Sequence, residues 1–181
     1  MSHIEKTVAS KEVFSGHILK LRVDTVELPN GNPSTREVVE HPGGVAVLAL
    51  DNDQAVLFVR QYRYPYRQEI LELPAGKLNY GEDPAACGLR ELEEETGYTA
   101  GSYQFLARVY PSPGYADEVL HLYLARALQY RAQKLDPDEF LTVERIPLER
   151  ALSLCLDGTI TDAKTLVALL KYNELCRRGE I

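Results

Sequence analysis

An α+β protein built on a mixed β-sheet sandwich is the expectation, and three features of the sequence carry it. Hairpin-type turns punctuate β-rich stretches, and residues 84–96 have both a start and a stop signal for a helix. The order β-rich, helix, β-rich, helix also lacks the regular alternation of a doubly wound parallel sheet. No G-x-G-x-x-G or Walker sequence is present. A chain of 181 residues suits one domain without a disulfide or structural metal.

Taken in order, Glu12 to Glu40 reads as short strands, with VFSGHILKLRVDTVEL roughly alternating, a turn at Pro29-Asn30-Gly31, and β-type residues resuming from Ser34 to His41. The apolar runs Val45–Leu50 and Ala55–Val59, separated by Asp51-Asn52-Asp53, read as a buried hairpin. Glu69–Leu73 is a strand stopped by Pro74. Asp83 as N-cap, Pro84 at the first helical position and Gly97 as the stop define the helix over 84–96. Tyr103–Tyr110 and Val119–Ala125 read as strands around a Pro-Gly loop, Leu141–Ile146 as a further strand, and 148–156 and 162–178 as helices.

Asp and Glu number 27 against 20 Lys and Arg, a net charge of −7. That balance argues against a general nucleic-acid binder, which needs a basic face to neutralise phosphates. It leaves a metal-bridged phosphate ligand open. Cys87, Cys155 and Cys176 are an odd number, widely spaced and without a C-x-x-C, which points to reduced thiols and a cytoplasmic setting. The N-terminal residues carry no signal-peptide pattern and no apolar run approaches membrane-spanning length, so a soluble protein is expected.

The segment richest in chemistry is the acidic helix. At about 100° per residue, Glu91, Glu94 and Glu95 share one side, while Ala85, Leu89, Leu92 and Thr96 are expected to face the core. Most Glu runs are solvated surface faces. Three carboxylates near a helix C-terminus nevertheless repel one another and oppose the macrodipole, so a cation stabilises them. Mg²⁺, a hard ion that takes oxygen ligands and retains waters or phosphates, suits such a cluster. The Leu73-Pro74-Ala75-Gly76 loop can offer a backbone carbonyl, and Arg90, four residues before Glu94, can hold that carboxylate in place.

Gly76, Glu82 after five residues, then Arg90-Glu91-Leu92-x-Glu94-Glu95-x-Gly97-Tyr98 after seven more, fills the fixed positions of the Nudix box. The last position, usually aliphatic, is Tyr98. Tyr110-Pro-Ser112-Pro-Gly114-Tyr-Ala-Asp-Glu118 follows, with Pro113 sixteen residues after Gly97. With Phe14–Leu19, Arg36–His41, Val59–Arg63 and Asp162–Thr165, the chain resembles the ADP-ribose pyrophosphatase subfamily of Nudix hydrolases over almost its whole length.

That resemblance implies the Nudix fold, a mixed β-sheet sandwich between α-helices, with an N-terminal β arm over 1–40 and the hydrolase domain over 41–181. It implies Mg²⁺ or Mn²⁺, two or three ions, held by the Ala75 backbone oxygen, Glu91 and Glu95. It assigns Arg36, Glu37, Arg63, Lys77, Ser112, Gly114 and Glu118 to a nucleoside diphosphate sugar. His41 stands where some relatives have an Arg. Arg63 has a physical reason for its role, because a guanidinium binds phosphate oxygens in pairs.

The implied reaction is hydrolysis of a pyrophosphate bond by water, giving AMP and ribose 5-phosphate from ADP-ribose. The base is expected among Glu139 and Asp138 in the loop Asp136-Pro-Asp138-Glu139, or at Glu94 in the box, with Arg90 orienting the acids. The resemblance also implies a homodimer that exchanges the arm, bringing His17 or Ile18 to the partner's ligand. The competing readings are a Nudix enzyme for another nucleotide, such as an oxidised triphosphate or capped RNA, and a non-catalytic ADP-ribose sensor. The intact box acids disfavour the sensor, and the absence of a basic groove disfavours RNA. Between residues 69 and 95, eight acids face Lys77 and Arg90, a local charge of −6 that accounts for nearly all of the −7.

Overall fold

In the computed structural model, which describes residues 3–181, the N-terminal residues form an antiparallel sheet of β1 (Lys6–Ser15), β2 (Lys20–Glu27) and β3 (Pro33–Glu40), in that spatial order. The turn between β2 and β3 is where the Pro-Asn-Gly signal puts it. Gly31, at φ 82°, donates to the Leu28 carbonyl at 2.8 Å, and the Asn30 side chain accepts from the Asn32 N–H at 3.1 Å. A left-handed residue at this position suits glycine. Residues 3–43 and 110–119 make one compact unit. Within it the 110–119 segment runs parallel beside β3: Val39 N–H donates to the Tyr115 carbonyl at 2.7 Å, and Asp117 N–H donates to the Val39 carbonyl at 3.1 Å.

The first strand starts at Lys6, earlier than the alternation from Glu12 suggests, because β2 offers backbone partners as far as Lys6↔Glu27. It is interrupted by two irregularities, between Thr7 and Ala9 and between Glu12 and Phe14, which blur the period-2 pattern. All ten of its residues are exposed, Val8, Val13 and Phe14 among them.

Residues 44–109 and 120–181 form the second unit. It contains β4 (Gly44–Ala49), β5 (Ala55–Arg63), β6 (Gln68–Glu72), β7 (Ala75–Lys77), α1 (Pro84–Thr96), β8 (Tyr98–Val109), β9 (Leu120–Tyr130), β10 (Leu141–Pro147), α2 (Leu148–Leu156) and α3 (Ala163–Arg178). One sheet runs β7-β4-β9-β8, with β4 and β9 parallel; the other runs β10-β5-β6 and is antiparallel. Every residue of β4 is buried. Ala46 and Leu48 pack with Val56, Phe58, Leu122 and Leu124 against Ala151, Leu154, Ala168 and Leu169 of α2 and α3. Val47 and Ala49 pack with Leu57 and Ala125 against Leu92 of α1. Helices thus cover both faces of the strands, the mixed sandwich expected from the sequence. No described helix is long and apolar enough to cross a membrane.

The expected hairpin of Val45–Leu50 with Ala55–Val59 is not formed. The two strands lie in different sheets, joined only by a bridge between Leu50 and Val56. The cause is that β4 pairs with β9 along one edge and, on the other, with β7 at Gly44–Ala46 and with Pro74 at Val47, which leaves β5 only the bridge beyond the strand's end. Apolar runs buried on both faces carry no signal of pairing partner. The Asp51 turn itself is present, with the Asp51 side chain accepting from Asp53 and Ala55 N–H at 2.9 Å each.

Helix α1 has the ends expected of it. Asp83 Oδ1 accepts from Ala85 and Ala86 N–H at 3.0 Å each, a cap contributing about 1 kcal/mol. Gly97, at φ 78°, closes the helix by donating to the Glu93 carbonyl. Its burial differs from the expectation. Leu89 is 37% exposed, whereas Glu91 and Glu95 are buried. The buried stripe comprises two rows at four-residue spacing, Cys87-Glu91-Glu95 and Gly88-Leu92-Thr96. At about 100° per residue Glu95 lies only about 60° from Leu92, so both rows can be buried together. Here Gly76 packs so closely on Glu91 that a Cβ at Gly76 would overlap its carboxylate, and a Cβ at Gly88 would meet the Tyr103 hydroxyl.

Candidate active site

The site in the second unit is assembled around α1 and the turn between β6 and β7. Ala75 N–H donates to Glu95 Oε2 at 2.8 Å, which ties the turn to the helix. Burial pushes the Glu95 carboxyl up to about 8, with Glu91 and Glu139 adding like charge against the opposing pull of the Ala75 N–H. Glu91 is raised as well, chiefly by burial, although the Arg90 guanidinium beside it opposes the shift. Both carboxylates therefore sit where negative charge is costly without an added cation.

Arg90 organises the exposed side of the same cluster. Its Nε and Nη2 donate to Glu82 at 3.0 and 3.2 Å, and its Nη1 donates to Glu94 at 2.8 Å and lies 2.8 Å from Glu91 Oε1. The Arg90–Glu94 contact is the one expected from the four-residue spacing. Glu82 is held down to about 2 by the Arg90 guanidinium and the Asn79 N–H. Cys87 lies against this group, 3.4 Å from Arg90 Nη2, and burial pushes its thiol up to about 12, which makes it a poor nucleophile. The three cysteines are free thiols.

The last turn of α1 is capped by residues 131–134, which follow β9. Arg131 N–H donates to the Gly97 carbonyl at 2.7 Å, Lys134 N–H to the Glu94 carbonyl at 2.9 Å, and the Gln133 side chain to the Glu95 carbonyl at 2.6 Å. This anchoring leads into Asp136–Glu139, and the Glu139 carboxylate raises both Glu91 and Glu95. Asp138 is exposed. Of the two loop acids, Glu139 is the half-buried one, and its carboxylate accepts from the Asp136 N–H at 3.3 Å.

Arg63 lies on β5 with its Nε and Nη2 donating to Glu72 at 2.6 and 2.7 Å, which leaves Nη1 for another acceptor. Glu72 is 2% exposed and also pairs with Lys164; burial opposes its charge, but Arg63 and Lys164 prevail and hold it below the usual carboxylate range. Glu72 was missed at the sequence level, and the available signal was a Glu on the same strand face as Ile70. Lys77 is exposed at the end of β7.

The remaining expected substrate residues belong to the first unit. Arg36 and Glu37 are on β3, and Ser112, Gly114 and Glu118 are in the segment beside that strand. Arg36 donates through Nε to Glu5 at 2.8 Å. Glu118 lies 3.4 Å from His41 Nδ1, and the His41 N–H donates to Asp117 at 2.8 Å. His17 and Ile18 are exposed in the β1–β2 turn.

The donor set suits a hard divalent ion: two buried carboxylates, a third nearby, and a backbone turn packed on one of them. Among the described residues, no three His, Cys, Asp or Glu side chains converge as ligands by themselves. A backbone carbonyl, waters and substrate phosphate are the usual complement for Mg²⁺.

A loop–helix–loop carrying buried glutamates, on a mixed sheet between helices, defines the Nudix class of hydrolase. Residues 40–169 match the NUDIX domain, residues 5–39 match the nucleoside diphosphate sugar hydrolase N-terminal domain, and the chain belongs to the Nudix hydrolase family. Among curated relatives, the methanol dehydrogenase activator of Bacillus methanolicus is 48% identical over 167 residues, covering 91% of this chain and 90% of the relative. The ADP-ribose pyrophosphatase of Bacillus subtilis matches with the same identity and coverage. A solved structure described as an ADP compounds hydrolase superposes with a TM-score of 0.84, covering 98% of this chain and 97% of its own, at 23% identity.

The raised Glu95 has a definite pH signature. Its folded value lies above the unfolded carboxylate value, so the metal-free folded state binds the extra proton and loses stability as pH rises from about 4.5 to about 8. In chelator, denaturant melts should show the parent losing stability relative to Glu95→Gln over this range, by at most about 4 kcal/mol. Added Mg²⁺ should recover the loss in the parent only. A pH-independent difference between the two proteins would contradict the burial of an uncompensated Glu95.

Proposed function

We propose that the protein hydrolyses the pyrophosphate bond of ADP-ribose, or of a closely related nucleoside diphosphate sugar, to a nucleoside monophosphate and a sugar phosphate. The observation that carries this reading is the buried Glu91–Glu95 pair set against the Gly76 turn, within a chain whose N-terminal residues match a nucleoside diphosphate sugar hydrolase domain. The 48% identity to an enzyme named ADP-ribose pyrophosphatase favours ADP-ribose within that class.

In this mechanism Glu91, Glu95 and the Ala75 carbonyl hold two or three Mg²⁺ or Mn²⁺ ions, which when bound neutralise the diphosphate and acidify water. Arg63, with Nε and Nη2 fixed by Glu72, uses Nη1 to hold a phosphate oxygen. Arg90 keeps Glu82, Glu91 and Glu94 in place without touching substrate. Glu139 accepts the proton of the attacking water as its oxygen bonds to phosphorus and the other phosphate departs; Glu94 is the alternative base. Its Coulombic effect on Glu91 and Glu95 favours Glu139 over Asp138.

Arg36, Glu37, Lys77, Ser112, Gly114 and Glu118 contact the nucleotide sugar. The arm of residues 1–40 mediates a homodimer, bringing His17 or Ile18 to the partner's ligand, and the exposure of Val8, Val13, Phe14 and Ile18 supports this assembly. The protein works in the cytoplasm, consistent with its free thiols.

With Mg²⁺ and a panel of ADP-ribose, ADP-glucose, GDP-sugars and FAD, release of AMP should be fastest from ADP-ribose. Glu91→Gln and Glu95→Gln should each lower turnover by at least about a hundredfold, since each removes an anionic ligand. Activity within about tenfold of the parent in either would defeat the metal assignment. Glu139→Gln should lose the acidic limb of the pH–rate profile; an unchanged profile removes Glu139 as base. Sedimentation at micromolar concentration should give a dimer, and a monomer would count against the arm's role.

A further inference from the structure

Three hydrogen bonds from three different elements pin the turn Leu73-Pro74-Ala75. From β4, Val47 N–H donates to the Pro74 carbonyl at 2.9 Å; into α1, Ala75 N–H donates to Glu95 Oε2 at 2.8 Å. The third partner lies outside the box altogether: Leu73 N–H donates to Thr165 Oγ1, at the start of α3, at 2.9 Å. Leu73 and Thr165 are both fully buried at 0% exposure, so water cannot replace this bond.

The direction of the Thr165 hydroxyl is set from behind. Its proton goes to Asp162 Oδ2 at 2.6 Å, which turns a lone pair toward Leu73 N–H. Asp162 is held in turn by Lys164 Nζ at 3.0 Å, and Lys164 also binds Glu72, the residue immediately before Leu73. Both sides of the Glu72–Leu73 peptide are therefore fixed to the first turn of α3, by an ion pair on one residue and a neutral hydrogen bond on the next.

We propose that Thr165 is a positioning residue for the metal end of the site. By fixing Leu73 N–H it sets the location of Ala75, whose carbonyl serves an ion and whose N–H orients Glu95. This inference rests on the assignment of Ala75, Glu91 and Glu95 to metal. It distinguishes Thr165 from an ordinary helix-capping residue, for which substitution would alter stability and leave ion binding alone.

The test uses the full-length protein and Mn²⁺, with free ion followed by electron paramagnetic resonance, alongside steady-state hydrolysis and thermal melts. Thr165→Val and Thr165→Ala should weaken Mn²⁺ binding by about tenfold or more, the usual effect of losing an outer hydrogen-bond partner at a metal site. They should lower kcat by a similar factor with KM little changed. Thr165→Ser, which restores the hydroxyl, should return Mn²⁺ affinity and kcat to within about threefold of the parent. Should neither larger change fold, Asp162→Ala, which leaves the hydroxyl in place but unanchored, should weaken Mn²⁺ binding by about tenfold. Parent-like Mn²⁺ affinity in the folded hydroxyl-free variant, or in Asp162→Ala where that substitution is needed, overturns the proposal even if stability falls. A parent that takes up no Mn²⁺ overturns the metal assignment itself, and this inference with it.

Discussion

The 2.8 Å bond from Ala75 N–H to Glu95 joins the two halves of the loop–helix–loop, and it does so with a carboxyl group whose hold on a proton burial raises despite that bond. Such an arrangement is unstable by itself: a buried acid with like-charged neighbours favours either a proton or a cation. The surrounding structure prevents relaxation. Gly76 sits where any side chain would push Glu91 away, Gly88 lets α1 approach Tyr103, and Asp83 and Gly97 fix the two ends of the helix. Local stability has been exchanged for a charge deficit held in one place.

Arg90 and Glu72 show two ways in which the charge is kept from collapsing on itself. Arg90 spreads one guanidinium over Glu82, Glu94 and Glu91 at the solvent side of the helix, which prevents it from neutralising the deeper Glu95. Glu72 works in the opposite sense, occupying two atoms of the Arg63 fork and the Lys164 ammonium. Without Glu72, Arg63 would be drawn to Glu95, whose charge already acts on it. The positive and negative parts of the site are separated by partners that each carry the other sign.

Much of this was readable in the sequence, and the failures have particular causes. The ends of α1 were legible because Asp83, Pro84 and Gly97 act through local backbone geometry. The spacing of Glu91, Glu94 and Glu95 was legible for the same reason, being a property of one helix. What lay beyond reach was non-local. The placement of Val45–Leu50 and Ala55–Val59 in separate sheets depends on β7 and β9 claiming the edges of β4, which no pattern within those runs encodes. The close packing of Glu91 depends on Gly76, fifteen positions before it, and Glu95 is held by the Ala75 N–H of the same turn. Glu72 reads as an unremarkable strand residue until Arg63, from the paired strand β5, and Lys164, ninety-two positions on, are both brought to it.

The attachment of residues 131–134 to the end of α1 is made largely by main-chain atoms, with Arg131 and Lys134 contributing their N–H groups and only Gln133 its side chain. Main-chain bonds are indifferent to residue identity, proline excepted. Side chains along this connection can therefore drift through evolution while the path of the chain from the end of α1 to Glu139 stays the same. The geometry at the end of α1 can thus survive wide changes of side chain, a mutational tolerance built into the backbone rather than selected residue by residue.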